Sequence, residues 1–328
     1  MDYKIVATDE IISSTSGLFI VGNLLKKTNL KNRINKQFRS NLISNSDIMF
    51  SYIGLLCQGK CDFDNIESYR KEPFFKKALR VDKVPSSPTL RQRFNHIGND
   101  LRDTLLDENA LLIKNTNSVI SPCIDEYIPL DIDVSPFDNS GSNKEGVSRT
   151  YKEFDGYAPI FAYLGEEGYC INAELREGKT HCQYGTDIFL KETITYAKRI
   201  TEKSLLVRLD SGNDSIKNIK VCLSAETKAD YIIKRNIRKE SKENWLAVAE
   251  DNAEKAESTN ERDVFIGSTY IQREEVSKPL RVIYKISRVK ARKGQFLLIP
   301  EVEIETYWTS LDYSPQRIIE LYHLHGKS

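Results

Sequence analysis

The stretch that decides the fold reads IPLDIDV and occupies residues 128 to 134. Its apolar residues favour a β-strand. Its two carboxylates, Asp131 and Asp133, stand two residues apart, so both side chains lie on one face of that strand. A carboxylate without a partner is costly on a buried face. We therefore expect a cation, a basic side chain or exposure at the strand end to compensate for these charges.

A second acidic strand end follows later in the chain. Residues 205 to 209, LLVRL, predict a short buried strand, and Asp210 comes directly after it. Carboxylates at strand ends, from segments distant in sequence, are how α/β folds collect oxygen ligands for Mg²⁺. The residues 210–212 also have the composition of a tight turn. The spacing alone leaves two interpretations open, a metal site and turn-capping aspartates.

The surrounding chain carries both strand and helix signals. Two apolar runs joined by GEEG, residues 165 to 168, predict a hairpin, and residues 186–202 predict an amphipathic helix. Ser314 and Pro315 mark the start of a final helix. This order favours a mixed α/β sheet over a doubly wound one. The polar stretch Ser241 to Arg262 is predicted to be loop-like or exposed.

Residues 10 to about 118 carry a helical pattern instead. Ser86 and Pro88 mark the start of one helix, along which Leu90, Phe94 and Ile97 share a face. Arginines near the start of a short helix that follows a turn suit a helix placed against DNA. They suit an ordinary bundle helix equally well, so this feature alone does not decide between the two.

Basic residues are clustered although the net charge is only +1, from 48 basic and 47 acidic residues. Local basic patches are what neutralisation of nucleic-acid phosphates requires, and a charged run is also common on a plain solvated helix face. Seven residues from three such clusters are the candidate DNA contacts: Lys26, Lys27, Arg91, Arg93, Lys234, Arg235 and Arg238.

The composition argues against several other classes. No apolar run approaches the roughly 18 residues that a membrane span needs, and the start of the chain lacks a signal-peptide pattern. We therefore expect a cytoplasmic protein. The chain has 6 cysteines and 4 histidines, without two Cys/His pairs at zinc-ligand spacing. Reduced, mostly buried thiols are predicted.

Several long strings carry a resemblance to a known family. They read LDIDVSPFDNS at 130–140, KEGVSRTY at 144–151, FDGYAPI at 154–160 and VRLDSG at 207–212, and residues 175–183 continue the match. The chain resembles the DDE transposases of bacterial insertion sequences, with a catalytic core of the group 1 type. The similarity runs from about residue 10 to the end, with its specific motifs between 130 and 215.

The resemblance implies a complete architecture and activity. It implies a helical, DNA-binding domain over residues 1–120 and an RNase-H-like core over 121–328, with a β-rich insertion at about 236–295. The implied activity is Mg²⁺-dependent strand cleavage and transfer at the ends of an insertion sequence, with two Mg²⁺ ions, for which Mn²⁺ can substitute. The implied partners are the terminal inverted repeats and target DNA, with a homodimer at synapsis and a nucleoid-associated location.

The resemblance also maps three acidic metal ligands. The first maps to Asp133, with Asp131 as its alternative, and the second to Asp210. The third is a glutamate in a Tyr-x-x-Arg-x-x-x-Glu pattern. Tyr322 fits this pattern and His325 replaces the arginine, so the glutamate is due just past Ser328. We therefore expect the given chain to bind DNA without cutting it. A catalytically dead, DNA-binding remnant is the alternative function, and Glu320 is a candidate substitute for the third acid.

Overall fold

A computed structural model describes residues 15–40, 42–238, 240–252, 254–292 and 295–324. The chain divides into two compact units, Met1–Ser118 and Val119–Ser328, each with its own internal contacts. Among the described residues, no helix is both long enough and apolar enough to cross a membrane.

The first unit is helical, as predicted. Ser86 caps the fifth helix, because its side chain accepts a hydrogen bond from the backbone N–H of Thr89. Apolar side chains of five helices and the connecting turns share one core, which includes Leu18, Ile34 and Phe75. The helices are α1 (Leu18–Leu25), α2 (Leu30–Gln37), α3 (Asn45–Cys57), α4 (Pro73–Leu79), α5 (Ser87–Ile97) and α6 (Arg102–Asn115).

The second unit alternates strands and helices. Its strands are β1 (Ile128–Val134), β2 (Phe137–Asp138), β3 (Ser148–Arg149), β4 (Asp155–Tyr157), β5 (Ile160–Leu164), β6 (Tyr169–Glu174), β7 (Leu205–Leu209), β8 (Asp230–Lys234), β9 (Glu254–Ser258), β10 (Arg262–Ile271), β11 (Leu280–Arg292) and β12 (Gln295–Thr309). Its helices are α7 (Thr186–Ile200), α8 (Ile216–Leu223), α9 (Lys242–Asn252) and α10 (Pro315–His323).

One large mixed sheet organises this unit. Its described strands follow the order β6-β5-β1-β7-β8-β12-β11-β10-β9, and β2, β4 and β3 form a small separate sheet. Strand β7 runs parallel to both β1 and β8, whereas β5 and β12 are antiparallel to their neighbours. Helix α10 packs its Ile318, Leu321 and Tyr322 against Leu206 and Ile232 of the sheet. The predicted mixed α/β class, with helices before the sheet, is confirmed.

Most described side chains of Ser241–Arg262 are exposed, as predicted, but the prediction that this segment is loop-like is wrong. The segment contains helix α9 and strand β9, and α9 contacts strands β10 to β12. Two side chains one helical turn apart, Trp245 and Ala249, are buried, and the Trp245 ring lies 5.8 Å from that of Tyr284. Two buried residues suffice to hold a short helix on a sheet, although the low apolar content suggested a loop.

The cysteine prediction is partly wrong. None of the six cysteines, all of which lie in the described part of the chain, forms a disulfide, but only Cys222 is buried, whereas Cys57, Cys61 and Cys170 are exposed. Cys57 ends α3 on its solvent side, so the apolar run before it did not indicate burial of the thiol itself.

Candidate functional site

The two predicted carboxylates lie at neighbouring strand ends. Strands β1 and β7 pair in parallel, with Ile132 opposite Leu209, so the next residues along, Asp133 and Asp210, follow this register. Neighbouring strands lie about 4.8 Å apart, and residues in register point to the same face. Asp133 is exposed and Asp210 half-buried. The fold therefore brings these two carboxylates together at the carboxyl edge of the central strands.

Asp131 is held by a buried ion pair. Arg208 donates two hydrogen bonds to its carboxylate, from Nε to Oδ1 at 2.6 Å and from Nη2 to Oδ2 at 2.7 Å. Asp131 is 8% and Arg208 2% exposed. The remaining Nη1 of Arg208 donates to the carbonyl oxygen of Leu321 in α10 at 2.9 Å. This pair supplies the basic partner expected for one carboxylate, and exposure at the strand end compensates for the other.

Arg208 was not among the predicted site residues, although a signal was present. An arginine inside the buried strand LLVRL requires an acidic partner, and Asp131 occupies the matching position of a second buried strand. Arg208 thus joins three elements, β1, β7 and α10, two residues before the carboxylate pair along the strands.

The loop after β7 is packed tightly around Asp210. The amide of Asn213 donates to its Oδ1 at 2.8 Å, and the Cys182 thiol donates to the Gly212 carbonyl oxygen at 2.8 Å. A Cβ at Gly212 would lie 3.0 Å from the Cys182 sulfur and 3.1 Å from Oδ2 of Asp210. Burial, and then the nearby Asp210 carboxylate, raise the pKa of the Cys182 thiol. The glycine lets the loop close over the carboxylate.

Two tyrosines lie within electrostatic range of both carboxylates. Burial raises the pKa of Tyr151, and the charges of Asp133 and Asp210 raise it further. Burial also raises the pKa of Tyr322, followed by Asp210 and Asp133. The Tyr151 hydroxyl donates to the Val134 carbonyl oxygen at 3.2 Å. Both phenols therefore remain protonated well above neutral pH.

The candidate DNA contacts of the second unit differ in their surroundings. The Lys234 ammonium lies 6.0 Å from the centre of the Tyr322 ring. Arg235 is buried and stacks on Trp308 at 4.4 Å. Arg238 is exposed and donates to the Asp214 carbonyl oxygen at 3.3 Å. A direct contact with DNA remains a prediction for all three.

Among the candidate DNA contacts of the first unit, only Arg93 differs from the others in its surroundings. Lys26, Lys27 and Arg91 are exposed. Arg93 donates from Nη1 to the Asn45 side-chain oxygen at 2.5 Å, a bond that fastens α5 to α3. Arg93 has this structural bond whether or not it contacts DNA, and its DNA-binding role stays a prediction.

The expected third acid lies outside the described residues, as does His325. Glu320 points to solvent on α10 and forms an ion pair with Arg317 at 2.9 Å, while Tyr322 is buried on the sheet side of the helix. A further carboxylate, Glu305, accepts from the Tyr307 hydroxyl at 2.6 Å and is one of the charges that raise the pKa of Tyr322. Nothing in the sequence indicated its proximity.

The sequence matches one protein family over residues 4–328, described as Transposase DDE domain group 1. The chain belongs to this family. The match confirms the resemblance on which the sequence interpretation relied. No curated protein matches the chain.

Solved structures give weaker similarities to this DDE-family chain. The piggyBac transposase in a synaptic complex with hairpin DNA is 13% identical, with 95% of this chain and 65% of that chain covered and a TM-score of 0.38. The Argonaute of Marinitoga piezophila, with guide RNA and target DNA, is 15% identical, with 60% and 25% covered and a TM-score of 0.25. The NurA nuclease of Sulfolobus solfataricus is 9% identical, with 73% and 86% covered and a TM-score of 0.28. The chain thus spans less than two thirds of the piggyBac chain, and the family assignment rests on the sequence match alone.

The donor set at the strand ends fits part of a magnesium site. Asp133 and Asp210 offer the carboxylate oxygens that Mg²⁺ prefers, whereas Arg208 already occupies both oxygens of Asp131. Among the described residues, no group of three or more His, Cys, Asp or Glu is arranged to hold a metal ion. The DDE-family core thus presents two candidate ligands in the part of the chain that the structure describes.

Proposed function

We propose that this protein is a transposase that cleaves DNA and transfers its strands at the ends of an insertion sequence, with divalent metal bound by Asp133 and Asp210. The observation that supports the proposal most is the register of β1 and β7, which brings these two carboxylates to adjacent strand ends on one face. Membership of the DDE family supports the same activity.

In this proposal each residue of the site has a defined task. Asp133 and Asp210 hold Mg²⁺ or Mn²⁺, and the bound metal supplies Lewis-acid stabilisation of the phosphoryl oxygens. Arg208 neutralises Asp131 and fixes α10 through the Leu321 carbonyl group. Tyr151 and Tyr322 border the site, and burial, the larger cause, raises the pKa of both phenols. The third acid of the family pattern completes the ligand set.

The proposal extends to architecture and partners. The order β6-β5-β1-β7-β8, with its antiparallel hairpin beside three parallel strands, supports an RNase-H-like core in Val119–Ser328, with an insertion at about 236–295. We assign DNA binding to the helical unit. Terminal inverted repeats and target DNA are the proposed partners, a homodimer joins the ends at synapsis, and the protein resides in the cytoplasm on the nucleoid.

The function is tested by incubating the protein that contains all three acids of the family pattern with supercoiled plasmid and an excess of Mg²⁺ or Mn²⁺ over protein, and by resolving the products on agarose. We expect nicked or linear plasmid, and we expect EDTA to abolish it. Binding in a gel-shift assay without any cleavage would instead favour the alternative, a catalytically dead DNA-binding protein.

Lys26 and Lys27 provide a separate test of DNA binding. Lys26→Gln with Lys27→Gln is expected to flatten the dependence of log affinity on log salt, by about 0.9 for each phosphate that is no longer neutralised. Arg91→Gln is expected to act in the same direction. Fluorescence anisotropy of a labelled duplex measures the slope. Lys60→Gln with Lys114→Gln, two exposed lysines of the same unit, is the matched control. An equal slope for both double variants would assign Lys26 and Lys27 to a plain solvated surface.

A further inference from the structure

A basic pocket of about 500 Å³ opens in the second unit, beyond the loop that carries Asp210. The loop ends at Asp214, and its last residues form one wall together with the start of α8. The other walls consist of Gln183, residues after β8, residues 273 and 275 between β10 and β11, and Trp308 near the end of β12. The basic and aromatic side chains that line it are Lys217, Lys220, Arg235, Arg238, Arg273 and Trp308.

A buried guanidinium with unsatisfied donors lies in the wall of this pocket. The Arg235 side chain is 1% exposed, and its Nη2 donates to Glu240 at 2.7 Å. Its Nε and Nη1 have no hydrogen-bond acceptor in the described part of the chain, and the same holds for Nε of Arg273. Both guanidinium groups face the Trp308 ring, at 4.4 and 5.7 Å from its centre. Two cations on one indole, with donors unsatisfied, leave a site of positive potential that an anion would stabilise.

Two of the three acids that line the pocket help to build its walls, whereas the third, Glu275, is exposed. Asp214 accepts from the Trp308 indole at 2.9 Å and from the backbone N–H of Asn236 at 3.0 Å. Glu240 accepts from Arg235 and from the Trp245 indole at 2.8 Å. These carboxylates fix the two tryptophans and the loop after β8. The exposed cations of Lys217, Lys220 and Arg238 remain directed to the solvent side of the pocket.

One short loop of the chain joins the pocket to the carboxylate pair. Asp210 and Asp214 are the two ends of one short loop, whose middle residues form a single 3₁₀ turn. The side chain of Gln183 donates to the Asp214 carbonyl oxygen at 2.7 Å, while the neighbouring Cys182 bonds Gly212 in the same loop. At about 2 Å rise per residue, the two aspartates are separated by roughly 8 Å along this loop.

We propose that this pocket binds a phosphate of the DNA strand that lies next to the phosphodiester at Asp133 and Asp210. Lys217 and Arg238 contact the phosphate, and the charges of Arg235 and Arg273 stabilise it from below. The proposal rests on the proposed function, since it places the strand across the carboxylate pair. It adds a second point of attachment, which fixes the direction of that strand.

The test uses the full-length protein and a fluorescent duplex. Lys217→Gln with Arg238→Gln is expected to reduce the slope of log affinity against log salt by about 0.9, the loss of one neutralised phosphate, and to weaken binding about eightfold at 0.1 M salt. Lys198→Gln with Lys203→Gln removes the same charge from exposed positions near the start of β7, at the opposite edge of the sheet, and is expected to leave the slope unchanged. Equal slopes for the two double variants would overturn the proposal that this pocket binds a DNA phosphate.

Two further measurements separate the sources of failure. Inorganic phosphate is titrated while tryptophan fluorescence is followed, because both tryptophans of the chain face Arg235. A fluorescence change that the Lys217/Arg238 variant loses, together with an unchanged DNA slope, would mean a site for free phosphate and overturn the DNA assignment. Plasmid nicking is scored in parallel. If the double variant reduces the slope but the unsubstituted protein does not nick plasmid, the proposed function is refuted and the assignment of the pocket to a DNA phosphate stands. If the unsubstituted protein nicks plasmid but the double variant leaves the slope unchanged, only the assignment of the pocket is refuted.

Discussion

Replacing Arg208 by methionine is expected to lower the free energy of unfolding by about 3–5 kcal/mol, because it removes the guanidinium group that donates two hydrogen bonds to the buried Asp131 carboxylate. Arg208 also holds α10 through the Leu321 carbonyl oxygen, which would lose its donor at the same time. Urea denaturation followed by far-UV circular dichroism measures the change. We expect a lower midpoint in the transition of the second unit, with the helical unit unaffected.

Two control variants isolate the ion pair. Arg208→Met combined with Asp131→Leu removes both charges and is expected to recover most of the lost stability, since a buried pair can be replaced by apolar groups at little net cost. Arg317→Met removes an arginine from the exposed pair with Glu320 on the same helix, and should cost no more than about 1 kcal/mol. A loss of that small size for Arg208→Met would show that Asp131 is compensated in another way.

Asp210→Asn and Asp133→Asn are each expected to reduce DNA cleavage by a factor of about 100 to 1,000 or more, the range seen when a group that stabilises the transition state is removed. Asparagine keeps the size of each side chain, and Asn213 can still bond the oxygen at position 210. The fold should therefore persist. Initial rates of plasmid nicking with Mg²⁺ measure the loss.

Two comparisons make this prediction specific. Asp312→Asn changes a fully exposed carboxylate of the same unit and should leave the rate unchanged. The Asp131→Leu/Arg208→Met protein, if folded, should retain Mg²⁺-dependent cleavage, because we assign the first ligand to Asp133. Loss of cleavage in that folded double variant, together with activity in Asp133→Asn, would make Asp131 the ligand instead.

Much of the sheet was predictable because its strands are short apolar runs bounded by polar residues. Strands β1 and β7 have the predicted bounds, and the hairpin between β5 and β6 turns at Gly165 and Gly168, both with positive φ. Even the electrostatic conflict at Asp131 and Asp133 was visible, since one strand face carried two carboxylates. The register of β1 with β7 decides that Asp131 is paired with Arg208 and that Asp133 lies at the exposed strand end. This register cannot be predicted from the sequence of either strand alone.

The features that the sequence did not predict depend on contacts between distant segments. Helix α9 is stabilised by the contact of its Trp245 with Tyr284 of β11. The polar composition of the helix gives no sign of this contact. Arg235 was assigned to a DNA-contacting surface from its basic neighbours, but two tryptophans from other elements enclose it. The basic pocket exists only because β12 returns beside β8, with Trp308 opposite Ile233.

The central claim is that Asp133 and Asp210 share one metal site, and iron-directed cleavage of the protein backbone tests it most directly. Fe²⁺ is bound in place of Mg²⁺, ascorbate and peroxide generate hydroxyl radicals at the ion, and mass spectrometry maps the cuts. We predict cuts within residues 131–135 and 208–213, in both segments, suppressed by excess Mg²⁺ and by Asp210→Asn. Cuts confined to other segments, or a pattern that Asp133→Asn and Asp210→Asn leave unchanged, would contradict the shared site.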